Sequence, residues 1–207
     1  MIALPGHETR SRAGRPMRAD ARRNYEQLVE QAKLAFAEFG VDASLDDIAR
    51  RAGVASGTLY RHFPTRLDLI EAVLAEQIAG LVDLGRTLLT AEDELDALST
   101  WLRAVVTHAL TYRGLAAAVM NSALDREKDL VSTWHTEIFE AGGALLARAR
   151  QSGSIIADAD DTDVLKMTGA IAWAAQDALN PSAQANRLLT LLMNGLRNGG
   201  LPQQTGD

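Results

Sequence analysis

The sequence predicts an all-α protein, with an N-terminal three-helix helix-turn-helix head followed by a C-terminal helical bundle. Apolar residues recur at three- and four-residue steps along most of the chain, and no period-two run typical of a strand interrupts them. Two short helical segments flank a glycine at position 53, which is helix-turn-helix spacing. A chain of 207 residues can bury a core unaided, and the absence of cysteine excludes disulfide, iron–sulfur and thiolate sites.

The two ends of the chain differ from the middle. Residues 1–17 carry Pro5, Gly6, Gly14 and Pro16 without an apolar period, which predicts a disordered basic arm. Residues 1–67 hold 11 Lys and Arg against 8 Asp and Glu, so the N-terminal part is basic although the net charge of the whole chain is −6. This local charge favours a polyanionic partner. The last ten residues, 198–207, are expected to form a loose tail.

Two helices are predicted before residue 53. Apolar residues at helical spacing predict the first helix from Ala19 to Phe39, ending before Gly40. Ser44 and Asp47 have the spacing of a capping box, and they predict a second helix that runs to about Ala52.

Two further helices follow Gly53. Ser56 opens a third short helix, which Pro64 stops because proline has no amide hydrogen to donate to the preceding turn. Thr65 and Asp68 form a second capping box, which predicts a long fourth helix through Leu84.

The remainder of the chain is also predicted to be helical. The expected divisions are Gly114, Gly153 and the Asn180–Pro181 pair. The predicted helices are Glu92–Thr111, Leu115–Leu124, Leu130–Ser152, Asp161–Leu179 and Ser182–Arg197.

The segment from Ser44 to Arg66, SLDDIARRAGVASGTLYRHFPTR, resembles the DNA-binding signature of the TetR family of bacterial transcriptional repressors. The resemblance covers about residues 18–80 and departs from the family pattern at Ala55, where a serine commonly caps the third helix. It implies a DNA-binding domain at 18–66 and an effector-binding and dimerisation domain at 67–197. The implied function is a repressor that binds a palindromic operator as a homodimer and is released by a small-molecule effector.

The predicted DNA contacts come from the geometry of a recognition helix and from the family resemblance. The major groove admits the N-terminal end of a recognition helix, so polar groups at the start of the third helix are expected to face DNA, and Gly57 lets its backbone approach. Of the adjacent Arg50 and Arg51, at most one can face DNA well, and Arg51 is preferred. The resemblance implies phosphate contacts by Ser44, Tyr60, His62 and Arg66, and base or backbone contacts by Ser56 and Thr58. Arg15 and Arg18 of the arm are expected to reach a minor groove or phosphate.

The C-terminal helices carry the predicted dimer and effector surfaces. Apolar stripes run along the last two helices, and in the resembled family the corresponding helices form a four-helix bundle across the dimer; intrachain core is the alternative. His108 and Gln176 are the preferred polar effector contacts. The predicted pocket residues are Trp101, His108, Met120, Trp134, Phe139, Trp173 and Gln176.

Other functional classes are disfavoured. The four histidines lack metalloprotease spacing, and no nucleophile elbow or phosphate-binding loop occurs, so no catalytic residue, metal or cofactor is expected. A helical module that binds protein through its head remains an alternative. A membrane span needs about 20 apolar residues, whereas the longest run without a charged residue is Gly114–Leu124, so we expect no membrane span, no targeting segment and a cytoplasmic location.

Overall fold

The computed structural model describes residues 14–121 and 125–197. Within this part of the chain there are eight α-helices, with a short 3-10 turn at Gly40–Asp42. The helices are α1 (Gly14–Phe39), α2 (Leu45–Arg51), α3 (Ser56–His62), α4 (Arg66–Leu88), α5 (Glu94–Asn121), α6 (Asp125–Gln151), α7 (Asp161–Ala175) and α8 (Pro181–Leu196). The predicted all-α fold is confirmed.

The head is built from α1, α2, α3 and the first turns of α4. Its core brings together Leu28 and Phe36 of α1, Ile48 of α2 and Leu59 of α3, all of which are almost completely buried. Four residues of α4 complete this core: Leu69, Ile70, Val73 and Leu74. The packed head therefore extends past residue 66, where the sequence divides the two domains.

The body has a separate core centred on Trp101, which has no exposed surface. The Nε1 of Trp101 donates a hydrogen bond of 2.9 Å to the carbonyl oxygen of Leu81, so its one polar atom is satisfied. Gly142 of α6 lies against the indole ring, since a Cβ added there would come within 2.7 Å of Trp101 and Leu165. Helices α5, α6 and α7 thus pack closely here because Gly142 of α6 has no side chain.

Several helix boundaries differ from those expected. Helix α1 begins at Gly14, so the last four residues of the predicted arm are helical, while residues 1–13 and 198–207 lie outside the described part. The predicted division at Gly114 corresponds to a kink in α5 two residues earlier, where Tyr112 has non-helical angles (φ −109°, ψ 16°) between two helical segments. Helix α7 ends at Ala175, before the predicted Leu179.

The predicted caps are confirmed to different degrees. Thr65 and Asp68 form the complete capping box at α4, with the Asp68 carboxylate accepting from both the amide and the hydroxyl of Thr65. At α2 the Ser44 hydroxyl accepts from the Asp47 amide at 3.3 Å, but the Asp47 carboxylate pairs with Arg50 instead of returning to Ser44. Only half of that predicted box is present.

Among residues 14–121 and 125–197, no helix is both long and apolar enough to cross a lipid bilayer. The same residues contain no group of three or more histidine or carboxylate side chains placed to hold a metal ion.

The packing at Gly142 predicts opposite effects of alanine at two helical glycines. Gly142→Ala overfills the contact with Trp101 and is expected to lower the free energy of unfolding by about 1–3 kcal/mol. Gly80→Ala on α4 meets nothing within 4 Å and is expected to raise it by up to about 1 kcal/mol, because alanine favours helix. Urea denaturation measures both, and equal effects at the two sites would contradict the assigned packing.

Candidate DNA-binding interface and ligand groove

The turn between α2 and α3 depends on Gly53, whose φ of +67° lies in the left-handed region that favours glycine. The amide of Gly53 donates to the Arg50 carbonyl at 3.1 Å, and the amide of Val54 donates to the Ala49 carbonyl at 2.9 Å. This is a Schellman ending, which stops α2 and reverses the chain within four residues.

The orientation of α3 is set by two buried side chains. Leu59 is completely buried and Phe63, immediately after the helix, is 3% exposed. Phe63 packs on Tyr25 of α1, with ring centroids 5.1 Å apart. Since these residues are four apart, they hold one face of α3 against the head and leave the opposite face outward.

The predicted contact residues of α3 lie on that outward side. Ser56 and Gly57 are exposed, Thr58 is half-buried, and Tyr60 is 47% exposed, which is unusual for so large a side chain. His62 is half-buried and its ring meets the edge of Tyr25 at 6.1 Å. Ser56, Gly57 and Tyr60 are therefore exposed, Thr58 is partly exposed, and His62 lies half-buried beside Tyr25.

The first turn of α3 has no side-chain cap. Ala55 occupies the N-cap position, where the family pattern commonly has a serine, and no side chain caps the helix. The Ala55 carbonyl instead accepts from the amides of Thr58 and Leu59, at 2.8 and 3.2 Å. The Ser56 and Thr58 hydroxyls are thus not used in capping this helix.

The Arg66 side chain is hydrogen-bonded to the backbone within the head. One guanidinium nitrogen, Nη1, donates to the carbonyls of Val41 and Ala43, at 2.7 and 2.5 Å, and the side chain is partly buried. These carbonyls belong to the connection between α1 and α2. Arg66 therefore joins the start of α4 to this connection, and its contact with a phosphate stays a prediction.

The remaining basic candidates occupy different surroundings. Arg51 points to the end of α1, 3.8 Å from the Glu38 carboxylate and 5.9 Å from the centre of the Phe39 ring. Arg50 is more exposed and pairs with Asp47 at 2.7 Å. The preference for Arg51 over Arg50 as a DNA contact stays untested. Arg15 and Arg18 belong to the first turns of α1, but their side chains lie outside the described part.

Comparison with known proteins identifies both halves of the chain. Residues 28–73 match the family model for bacterial regulatory proteins of the tetR family. Residues 93–198 match the C-terminal domain of SbtR-like transcriptional regulators. The chain belongs to the TetR family. It is a transcriptional regulator with a helix-turn-helix DNA-binding domain and is not an enzyme.

Three relatives illustrate the range of similarity. The TetR regulator SCO0520 from Streptomyces coelicolor is 37% identical, with a TM-score of 0.71 over 85% of this chain and 99% of that one. The repressor KstR2 from Rhodococcus jostii is 27% identical over 95% of this chain and 98% of its own length. TtgW from Pseudomonas putida, an HTH-type regulator, is 42% identical over 60 residues, which span 28% of this chain and 45% of that relative.

The described members of the predicted effector set of this TetR-family chain lie in different surroundings. Trp101 is wholly buried in the body core, whereas Trp173 is 73% exposed. Trp134 packs partly against the head core, and Phe139 partly against the body core. Gln176 is the C-cap residue of α7, and the side chain of Met120 lies outside the described part. Tryptophan at helical spacing signals burial or a surface equally well, so sequence alone could not separate these positions.

His108 does line a groove. This groove, between α4 and α5, has a volume of about 640 Å³ and its walls combine apolar and polar groups, which is the composition of a small-molecule site. The lining residues include Glu76 and Gln77 of α4 and Arg103, Thr107, His108 and Tyr112 of α5. Sequence reasoning missed Arg103 and Thr107, although their spacing with Thr111 marks one polar face of α5.

Burial lowers the pKa of His108 from its ordinary 6.5 to about 4. The imidazole is therefore neutral at pH 7 and can both donate and accept a hydrogen bond. Its ring contacts Tyr112, with centroids 5.2 Å apart. The groove thus offers a neutral polar pair beside the charged ends of Glu76 and Arg103.

The lowered pKa predicts how acid acts on stability. In the unfolded chain His108 takes up a proton near pH 6.5, but in the folded protein only near pH 4, so the unfolded state binds more protons between these values. Stability should therefore fall as pH falls through this window, by up to about 3 kcal/mol from this residue. In His108→Gln this part of the loss should vanish, as measured by urea denaturation from pH 7 to 4. The exposed His135, changed to Gln, is the control, and a parallel pH profile for His108→Gln and the wild type would refute the assignment.

Proposed function

We propose that this TetR-family regulator is a ligand-responsive repressor, which binds a palindromic operator as a homodimer and leaves it when a small molecule binds. The observation that carries the DNA-binding part is the arrangement of α3. Burial of Leu59 and Phe63 supports an outward display of Ser56, Thr58 and Tyr60, with a large aromatic hydroxyl left in solvent. A helix displayed in this way fits a major groove.

Repression and operator symmetry rest on further observations. The similar protein KstR2 is named a transcriptional repressor, which favours the same sign of regulation here. A head with few base-reading groups gains affinity when two copies bind two half-sites about one helical turn apart, or a multiple of it. Since the target is DNA in a bacterial cell, we expect the protein to act in the cytoplasm.

The dimer surface is assigned to α7 and α8. Most of the predicted stripe is intrachain core, because Val164, Ile171 and Leu189 are buried within one chain. Other apolar residues on or just after these helices stay exposed: Met167 (51%), Trp173 (73%), Leu179 (109%) and Leu191 (67%). Met167 and Leu191 also line an apolar groove of about 400 Å³. An exposed patch of this kind favours association with a second copy.

The effector is assigned to the α4–α5 groove. Helix α4 follows α3 after only three residues, so a ligand that contacts α4 can alter the position of the recognition helix. Release from DNA requires that the ligand bind the DNA-free arrangement more tightly than the DNA-bound one. His108 and Tyr112 supply polar contacts there, and Leu81 and Ala104 supply apolar ones.

Two exposed tyrosines of the head test the DNA surface. Tyr60→Phe removes a hydroxyl that would reach a phosphate and should weaken operator binding about tenfold or more, the usual size for a hydrogen bond to a charged group. Tyr25→Phe removes a hydroxyl from a residue that is 41% exposed on α1 and should leave affinity unchanged. The operator is first selected from random duplexes with the wild-type protein, and affinities are measured by fluorescence anisotropy across salt concentrations. Log affinity should fall with log salt by about 0.9 per phosphate neutralised, and equal losses in the two variants would refute the assigned contact.

Two exposed leucines test the dimer surface. Leu191→Arg places a charge in the α7–α8 patch and should convert the dimer to monomers, because an unpaired charge is costly to bury. Leu34→Arg is the matched control, since Leu34 is 54% exposed on α1, away from that patch. Sedimentation velocity measures both. A dimer that persists in Leu191→Arg, or a wild type that is monomeric at micromolar concentration, would overturn the assignment.

A further inference from the structure

An ion pair with a mostly covered lysine joins α1 to α4. Lys33 of α1 has only 17% of its side chain exposed, and its Nζ lies 3.1 Å from the carboxylate of Glu76 on α4. The same Nζ lies 2.5 Å from Glu30, one turn earlier on α1. The Glu76 carboxylate is 52% exposed, so the ammonium is the covered partner, whereas in the pair of Arg50 and Asp47 both side chains are open, at 76% and 51%.

Lys33 remains charged in this position. The pKa of Lys33 is raised, chiefly by its hydrogen bond with Glu30, and the contact with Glu76 adds to this against the opposing effect of burial. A charged amine that has lost most of its water depends on its partners, so removing one is costly. The two carboxylates differ in what they connect: Glu30 belongs to α1 itself, whereas Glu76 belongs to a different helix.

Glu76 lies about 15 Å along α4 from the end that connects to the recognition helix. Helix α4 starts at Arg66, with three residues between it and α3, and Glu76 is ten residues further along at about 1.5 Å per residue. The short connection between α3 and α4 fixes the N-terminal end of α4 relative to the recognition helix. The apolar contacts of the head core are non-directional, whereas the ion pair holds one point on α1 to one point on α4.

Helix α5 also lies beside Glu76. Tyr112 of α5, at the non-helical point of that helix, packs partly against the head core. Glu76 and Tyr112 both line the α4–α5 groove. The carboxylate of Glu76 therefore stands between the head and the groove assigned to the effector.

We propose that Lys33 and Glu76 are positioning residues whose contact fixes the angle between α1 and α4, and with it the spacing of the two recognition helices in the dimer. This inference rests on the proposed function, because spacing matters only to a dimer that binds two half-sites. The residues touch no DNA. They act on how well both heads fit one palindrome, and not on how well one head fits one half-site.

That distinction supplies the test. Affinities of the full-length protein are measured for the selected palindromic duplex and for a duplex that holds one half-site. Lys33→Met and Glu76→Gln should each lower the ratio of palindrome to half-site affinity, by roughly 5- to 150-fold if the coupling is of ordinary size. The double variant should lose no more than the larger single loss, because both substitutions remove the same contact.

Three controls separate positioning from other causes. Asp83→Asn and Arg86→Met break an exposed pair of 2.9 Å on the same helix α4 and should leave the ratio unchanged. Tyr60→Phe, a contact variant, should lower half-site affinity, and should lower palindrome affinity by about the square of that factor because both heads lose the contact. Thermal melting of each variant shows directly whether it still folds. Glu76→Gln keeps the shape of the side chain and removes only its charge.

The outcomes are distinct. If the wild type selects no palindrome, the proposed function fails and this inference fails with it. If the wild type binds a palindrome and the two variants keep its affinity ratio, or lose half-site affinity as Tyr60→Phe does, only the inference is overturned. A lowered ratio with half-site affinity retained supports it.

Discussion

The recognition surface depends on the burial of Leu59 and Phe63. A helix of seven residues is too short to be stable by itself in water, so α3 exists only because one of its faces is removed from solvent. Leu59 is covered by the head core, and Phe63 is held against Tyr25. The same burial decides which side chains remain outside. Formation of the helix and display of Tyr60 are thus one event.

Three arginines tie neighbouring helix ends together. Arg66 donates to carbonyls between α1 and α2, Arg148 to carbonyls at and just after the end of α4, and Arg150 to the Ala159 carbonyl and to the Asp161 carboxylate at the start of α7. Helix ends leave carbonyls without partners, and a planar guanidinium can serve two of them. A count of basic residues therefore overstates the charge available to DNA, since Arg66 is partly committed elsewhere.

The body contains both a tightly packed contact and a polar groove. Trp101 and Gly142 fill the contact between α5 and α6, whereas α5 meets α4 along a groove with His108 and Tyr112. Helix α4 borders this groove and also contributes to the head core. A change at the groove and a change at the recognition helix can thus share one element, which is the physical condition for coupling between two sites.

The sequence by itself determined the helical class, the helix-turn-helix, the complete cap at Thr65 and Asp68, and the family. These features depend on local spacing, and spacing is written in the chain. Only the tertiary structure decided what covers each apolar face: it buried Trp101 and exposed Trp173. It also paired Lys33 with Glu76, 43 positions away, and turned Arg66 to backbone carbonyls. Periodicity reports which side of a helix is apolar, but the neighbour of that side is set by how all the helices pack at once.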